Sequence, residues 1–238
     1  MNDIQNEFIS TVSHELRTPL TSIRGFSQTL LNSWDKIDDE NKKKFVSIIE
    51  EQSNRLINLV ENILTVSKMN EDKPILRAVD VNSSIQKTLQ MLSQKYSGRA
   101  FVSKFHSQLP QVALDDDKFQ QIMTNLIDNA CKYSSQESTV EISTSFKDSE
   151  NVLIKIKDYG VGIDKDDLDK IFTKFTRLEN HLTSKTQGNG LGLYITKNLV
   201  EAMNGSISVE SEPNVGSTFL LEFPFYNQEE AMRCSRQS

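Results

Sequence analysis

The stretch ISTVSHELRTPLTSIRGFSQTL, residues 9–30, carries apolar residues with alternating spacings of three and four. They are Ile9, Val12, Leu16, Pro19, Ile23, Phe26 and Leu30. This spacing is typical of the a and d positions of a heptad, the seam along which long helices pack. The same spacing returns at Phe45, Ile49, Gln52, Leu56, Leu59, Ile63 and Val66. We therefore predict a helical hairpin, with Asp38 as the N-cap of its second helix.

Both predicted helices also carry apolar residues outside the seam, among them Leu20, Ile57, Val60 and Leu64. A two-helix hairpin of this size cannot bury two apolar faces by itself. Pairing with a second copy into a four-helix bundle would bury both faces, so the sequence predicts a homodimer.

Beyond the polar segment at residues 70–74, the pattern changes to alternating strands and helices. Strands are predicted at residues 75–79, 100–105, 112–114, 139–146, 152–157, 206–211 and 217–223. Helices are predicted at residues 82–96, 116–133, 165–171 and 191–203. The long polar segment at residues 173–190 is typical of a functional lid or of disorder.

The predicted fold class is α+β with two domains. Residues 1–69 form the helical hairpin of a dimeric four-helix bundle. Residues 70–80 form a linker and first strand, and residues 81–226 form an α/β sandwich in which a mixed sheet is layered with helices. Residues 227–238 form a polar tail.

Composition excludes several classes of protein. With 27 Lys and Arg against 33 Asp and Glu, the net charge of −6 disfavours nucleic-acid binding. The two cysteines, Cys131 and Cys234, suggest no disulfide framework and fit a reducing compartment. No run approaches the roughly 18 apolar residues of a membrane helix. We expect a cytoplasmic protein, attached to a membrane only through segments absent from this chain.

His14 falls at position f of the first heptad, farthest from the seam, and is therefore predicted to be exposed. A lone histidine on a helix surface is more often merely solvated. Here, however, Glu15, Arg17 and Thr18 surround it. Pro19 removes a backbone donor and crowds the carbonyl group of Glu15. A proline retained inside a helix motivates a functional hypothesis.

The stretch NLIDNACKYS, residues 125–134, places Asn125, Asn129 and Lys132 on one face of a predicted helix. Amide oxygens suit Mg²⁺ and an ammonium group suits phosphate. Taken alone, such a polar stripe is more often a solvated helix face.

Two glycine motifs follow. DYGVGI, residues 158–163, sets a carboxylate before two glycines that allow a ligand to approach the backbone closely, although a tight turn explains it equally well. GNGLGL, residues 188–193, opens a predicted helix whose free amide groups favour a polyphosphate. The second motif has neither the P-loop ending nor the Rossmann spacing.

In this order the motifs resemble the phosphoacceptor, N, G1 and G2 boxes of two-component sensor histidine kinases. IFTKF, residues 171–175, resembles the F box, and GSTF, residues 216–219, resembles the motif that closes the nucleotide site. The resemblance spans about residues 4–226 and implies a Bergerat-type ATP-binding fold. It implies ATP-dependent autophosphorylation of His14 and transfer of the phosphoryl group to an aspartate of a response regulator. It also suggests a phosphatase activity toward that regulator.

The resemblance further implies roles for individual residues. Glu15 would accept or orient the ring proton of His14, and Thr18 would position a water molecule. Asp158 would bond the adenine amino group, while Asn129, with Asn125, would hold Mg²⁺ at the phosphates. The other residues implied to contact ATP are Lys132, Tyr133, Gly160, Gly162, Phe175, Arg177, Gly188, Gly190, Leu191, Gly192 and Thr218.

Two other functions stay open from the residues alone. The α/β domain also resembles the gyrase and heat-shock-chaperone ATPases, so a nucleotide-driven clamp is one alternative; the His-Glu-x-x-Thr-Pro pattern on an exposed helix face counts against it. A phosphotransfer or dimerisation module with a degenerate nucleotide site is the other. The presence of Asp158, Asn129 and all three glycines of residues 188–192 counts against that.

Overall fold

The structure is a computed structural model that describes residues 2–69, 72–176, 178 and 188–227, with side chains from residue 9 onward. The chain divides into two compact units. The N-terminal unit ends at Lys68 and the C-terminal unit begins at Met69.

The N-terminal unit is a helical hairpin. Helix α1 (Asn2–Ser33) runs without interruption through Pro19, and helix α2 (Asp39–Lys68) follows a short 3-10 turn at Trp34–Lys36. The Asp38 carboxylate accepts a hydrogen bond of 2.8 Å from the backbone N–H of Asn41, which satisfies one of the free amide groups at the start of α2. The predicted hairpin and its N-cap are both confirmed.

Little of the hairpin is buried. Among the described side chains of α1 and α2, the buried ones are Pro19, Leu30 and Leu59, all on the predicted seam. The aromatic rings of Phe26 and Phe45 pack across the seam with centroids 5.1 Å apart. The apolar residues predicted outside the seam are exposed: Leu20, Ile57, Val60 and Leu64. An unpartnered apolar face of this kind is consistent with the predicted association.

The C-terminal unit is a mixed sheet layered with helices. Its described strands are β1 (Arg77–Val79), β2 (Phe101–Phe105), β3 (Val112–Leu114), β4 (Val140–Phe146), β5 (Asn151–Lys157), β6 (Ser206–Glu212) and β7 (Gly216–Pro224). Its described helices are α3 (Val81–Lys95), α4 (Asp116–Lys132) and α5 (Gly192–Ala202). Within these residues, β2-β4-β5-β7-β6 form one sheet and β1-β3 a small second one. Strands β2 and β4 are parallel, and the other pairs are antiparallel.

The core of this unit lies between the five-stranded sheet and its helices. On β5, Val152, Ile154 and Ile156 are buried while the residues between them are partly exposed, as the period of two along a strand requires. Phe119 of α4 packs edge-on against Phe223 of β7, with ring centroids 5.9 Å apart. Both rings are fully buried. The sheet and α4 therefore form one rigid base for the loops that follow β5.

The predicted fold class, a helical hairpin followed by a mixed α/β sheet domain, is confirmed. One predicted element is wrong: residues 165–171 do not form an α-helix. A 3-10 turn at Lys165–Asp167 leads instead into further turns, and the Asp167 N–H bonds the Asp164 carbonyl oxygen three residues back. Short segments rich in aspartate nucleate α-helices poorly.

No helix in the described parts of the chain combines the length and apolar composition needed to cross a bilayer.

Candidate functional site

Two separate groups of predicted site residues are built in the two units. In the hairpin, His14 is exposed on α1, as position f predicts. Thr18 lies one helical turn later, also exposed, and its hydroxyl group donates to the His14 carbonyl oxygen over 3.4 Å. The imidazole ring is thus open to solvent, with a hydroxyl group on the same helix face.

Glu15 points toward α2. Its Oε2 accepts a hydrogen bond of 3.1 Å from a guanidinium nitrogen of Arg55, and both side chains are about four-fifths buried. Arg55 is a site residue that no motif in the sequence indicated. The heptad pattern could have predicted this ion pair, because Glu15 and Arg55 directly precede the seam residues Leu16 and Leu56. These are g positions, where opposite charges pair between helices.

In the C-terminal unit a pocket opens between α4, α5, the loop after β5, and β7. Its lining residues are Asn129, Ala130, Tyr133, Asp158, Val161, Gly162, Ile163, Ile171, Thr176, Leu178, Leu193, Ser217 and Phe219. Most of them are apolar, and a few polar groups converge among them. This combination is typical of a site for a partly polar small molecule.

Asp158 is the charged residue of this pocket. Its side chain is only 4% exposed, and Oδ1 accepts hydrogen bonds from the backbone N–H groups of Gly160 (2.9 Å) and Ser217 (3.3 Å). Burial raises the pKa of the carboxyl group above its ordinary value, although these two hydrogen bonds oppose the rise. Among the described residues both bonds end on Oδ1, so Oδ2 remains as an acceptor for a ligand.

Glycines shape the loop that carries Asp158. A Cβ atom on Gly160 would collide with the Tyr133 carbonyl oxygen, so only glycine lets this loop lie against the end of α4. Gly162 has φ +67°, in the left-handed region that favours glycine, and a Cβ there would collide with the Glu212 carbonyl group. The backbone N–H of Val161 also bonds the Tyr133 carbonyl oxygen over 3.1 Å.

Glycines also shape the start of α5. Gly190 has φ +67° and packs directly on the backbone of Phe175. Leu191, the N-cap residue, is fully buried and provides no side-chain hydrogen bond to the first turn. Free amide groups at a helix N-terminus attract negative charge such as phosphate. Gly192 follows as the first residue of α5, in contact with the Asn125 side chain.

Several predicted contact residues lie elsewhere. Lys132 pairs with Asp128 one turn earlier on α4. Thr218 alternates with Ser217 along β7 and faces away from the pocket, so Ser217 is the residue that reaches it. Gly188 does not line the pocket, and Arg177 lies outside the described residues.

Asp128 connects α3 with α4. Its carboxylate accepts from Lys95 (2.6 Å), Tyr96 (2.6 Å) and Lys132 (2.5 Å). Burial acts to raise the pKa of this carboxyl group, but the ammonium groups and the phenol outweigh it and lower the pKa. Burial and the bond to Asp128 raise the pKa of Tyr96.

Comparison with known proteins assigns a domain family to each unit. Residues 4–72 match the His Kinase A (phospho-acceptor) domain. Residues 114–227 match the family described as histidine kinase-, DNA gyrase B-, and HSP90-like ATPase.

Individual relatives agree as well. The sensor protein kinase WalK of Staphylococcus haemolyticus is 38% identical over 223 residues, which cover 92% of this chain and 36% of WalK. The crystal structure of full-length ShkA in complex with AMPPNP is 28% identical, with a TM-score of 0.67 over 93% of this chain and 46% of ShkA. The histidine kinase AdeS of Acinetobacter baumannii is 26% identical, with a TM-score of 0.69 over 90% of this chain and 98% of AdeS.

The fold and the two groups of residues define a histidine phosphoacceptor hairpin joined to an ATPase-type α/β domain. The chain belongs to the family of two-component sensor histidine kinases. It spans between about a third and a half of the length of the curated relatives it matches.

Proposed function

We propose that this chain catalyses ATP-dependent autophosphorylation of His14 and passes the phosphoryl group to an aspartate of a response regulator. The observation that carries the proposal is the exposed imidazole of His14 in a chain whose other unit builds a pocket around the buried carboxylate of Asp158. The match to a phosphoacceptor domain disfavours a clamp ATPase, which needs no such histidine.

The pocket provides the means to hold ATP. Asp158 Oδ2 accepts a hydrogen bond from the adenine amino group, with the base between the apolar walls of the pocket. The phosphates extend toward the start of α5, because the amide groups of a helix's first turn attract negative charge. The related protein ShkA was solved in complex with AMPPNP, which is an ATP analogue. This complex supports the assignment.

The amide oxygens of α4 fit a magnesium ion. Asn129 lines the pocket, and Asn125 lies one turn before it on the same helix. Oxygen ligands of this kind suit Mg²⁺, which keeps several waters and shares phosphate oxygens. We propose that Asn129, with Asn125 Oδ1, holds the ion, whose charge would neutralise the phosphates.

The transfer step requires little covalent chemistry from the protein. A ring nitrogen of His14 attacks the γ-phosphorus, and a P–N bond forms as the bond to the bridging oxygen breaks. ADP leaves with that electron pair. The proton on the other ring nitrogen passes to water, or to Glu15 once its carboxylate is released from Arg55. Positioning of the two reactants accounts for most of the rate enhancement.

Association with a second copy is part of this proposal. The exposed apolar residues of the hairpin, including Ile57, Val60 and Leu64, form a face that a second hairpin would cover. Replacement of Val60 by aspartate should therefore dissociate the dimer, as measured by analytical ultracentrifugation. We propose a cytoplasmic homodimer, in the compartment where a soluble response regulator would meet it.

The proposal is tested by incubating the chain with Mg²⁺ and ATP labelled at the γ-phosphate, followed by acid and alkali treatment. We expect label on wild type that is lost in acid and survives alkali, as a phosphoramidate requires. His14→Gln should remain unlabelled. His106→Gln is the matched control and should label normally, since His106 is exposed on the other unit.

Two outcomes would contradict the proposal. Label retained by His14→Gln would move the phosphoacceptor to another residue. ATP hydrolysis without labelling of wild type would favour the clamp ATPase instead.

We also propose a phosphatase activity toward the regulator, because Thr18 presents a hydroxyl group one turn from His14 on an exposed face. That hydroxyl can position a water molecule against a phosphorylated aspartate of the regulator. We expect Thr18→Ala to lose dephosphorylation of the regulator, with Thr18→Ser restoring it. Equal phosphatase rates in wild type and Thr18→Ala would exclude this role.

A further inference from the structure

A buried hydroxyl group joins the two helices that carry the phosphate-facing motifs. Thr196 of α5 is 1% exposed, and its Oγ1 accepts a hydrogen bond of 2.7 Å from Nδ2 of Asn125 on α4. The two residues are 71 positions apart in the chain. No motif in the sequence analysis included Thr196.

The same amide group also touches the first residue of α5. A Cβ atom on Gly192 would collide with Oδ1 of Asn125, so the amide lies directly against this glycine. Gly192 and Thr196 are four residues apart and share one face of α5. Together they hold the Asn125 side chain from both ends, in a defined orientation.

Thr196 departs from the usual behaviour of a helical threonine. Such hydroxyl groups normally bond the carbonyl oxygen four residues back in their own helix. Thr88 of α3 does this, with its hydroxyl 3.3 Å from the Ser84 carbonyl oxygen. Thr196 instead receives a bond from another helix, and its branched side chain has few rotamers in which to do so.

We propose that Thr196 is a positioning residue of the nucleotide site. By fixing the amide of Asn125, it sets the direction of Asn125 Oδ1 and holds the first turn of α5 against α4. Both features face the phosphates in the proposed function, on which this inference rests. The hydroxyl group itself need not touch the nucleotide.

Three variants of the full chain test this inference by calorimetric titration with ATP and Mg²⁺. Thr196→Val keeps the shape of the side chain but leaves the Asn125 N–H group without its partner. We expect its dissociation constant for ATP to rise about tenfold, as loss of a buried hydrogen bond implies. Thr196→Ser, which retains the hydroxyl group, should bind nearly as wild type.

Thr88→Val is the matched control. Thr88 is 2% exposed, on a helix of the same unit, and within the described parts of the chain its hydroxyl bonds its own helix. This variant should bind ATP as wild type does, which separates positioning from general loosening of the core. Initial rates of His14 labelling at varied ATP concentration should show a higher apparent KM for ATP in Thr196→Val, with a much smaller change in the maximal rate.

The possible failures are distinguishable. Unchanged ATP affinity in Thr196→Val would overturn the inference while leaving the proposed kinase intact. Equal weakening in Thr196→Val and Thr196→Ser would assign the effect to packing and also overturn it. A wild-type chain that binds no ATP would overturn the proposed function and this inference together.

Discussion

The two units of this chain bury their apolar residues to very different extents. In the described hairpin, the buried side chains are Pro19, Leu30 and Leu59, and large apolar residues such as Leu20 and Leu64 are half exposed. In the C-terminal unit, the sheet and its helices enclose a continuous core, with rings such as Phe119 fully buried.

This difference separates two ways of gaining stability. The C-terminal unit contains both layers of its own core, so its folding depends on one chain. The hairpin presents one seam and one open apolar face, so in the proposed homodimer its stability would depend on a partner and therefore on concentration. The phosphoacceptor would then reside in the unit that needs a second copy, and the nucleotide pocket in the unit that does not.

The largest expected effects come from truncating one core residue in each unit. Phe119→Ala should destabilise the C-terminal unit by about 3–5 kcal/mol, by the same amount at every protein concentration. Leu59→Ala, at the 1% exposed centre of the seam, should lower the melting temperature of the hairpin, and that melting temperature should fall on dilution in wild type and variant alike. Differential scanning calorimetry of both variants over a hundredfold dilution measures how each melting temperature depends on concentration. Concentration-independent melting of both variants would contradict the contrast between the units.

Asp158→Asn should weaken ATP binding about a hundredfold, or about 2.7 kcal/mol. The asparagine Oδ1 can keep the bonds from Gly160 and Ser217, but its NH₂ group then faces the adenine amino group, and two donors meet. Isothermal titration with ATP measures the loss. Asp169→Asn, at an exposed carboxylate of the same unit, is the control and should bind as wild type. Tight binding by Asp158→Asn would move the adenine site away from this pocket.

Arg55→Met should lower the unfolding free energy of the hairpin by about 1 kcal/mol, because the ion pair with Glu15 is mostly buried but still partly solvent-accessible. A double-mutant cycle with Glu15→Gln isolates the pair by thermal unfolding. Arg55→Lys should restore only part of the loss, since an ammonium lacks the planar fork of a guanidinium. Additive effects of Arg55→Met and Glu15→Gln would show that the pair contributes nothing.

The smallest effect concerns Asp158 and pH. Its raised pKa means that the folded state holds the proton more tightly, so this stabilisation is present below the unfolded pKa and is lost as pH rises through the folded pKa. At neutral pH the ATP-free Asp158→Asn variant should therefore melt slightly higher than wild type. The difference should shrink toward pH 3.8, the ordinary value for aspartate. A lower melting temperature of Asp158→Asn than of wild type at neutral pH would contradict this prediction.

Sequence periodicity predicted most of the secondary structure because it reports local geometry. The heptads located both helices of the hairpin, and alternation located β4, β5 and β7 to within about two residues. The periodicity was misleading at residues 165–171, where an acidic segment with apolar residues at helical spacing resembled a helix. That segment forms a 3-10 turn instead. Periodicity over only two turns cannot outweigh the cost of nucleating a helix.

The chain's motifs also identified Asn129, Tyr133, Asp158 and Gly162, which the fold brings into one pocket although the sequence separates them. Their residue types carry the chemistry, and residue type is visible without coordinates. The motif indicated Thr218 as a contact residue, whereas the structure places Ser217 at the pocket. Only the pairing of β7 with its neighbours shows which face of the strand points to Asp158.

By itself, then, the sequence determined the order of the elements, the exposed position of His14 and the residue types of the nucleotide pocket, all of which depend on spacing along the chain. The pairs Glu15–Arg55 and Asn125–Thr196 were decided only by tertiary structure. Each joins residues 40 or more positions apart. Such a contact depends on how two elements are rotated against each other, and packing of the whole core sets that rotation.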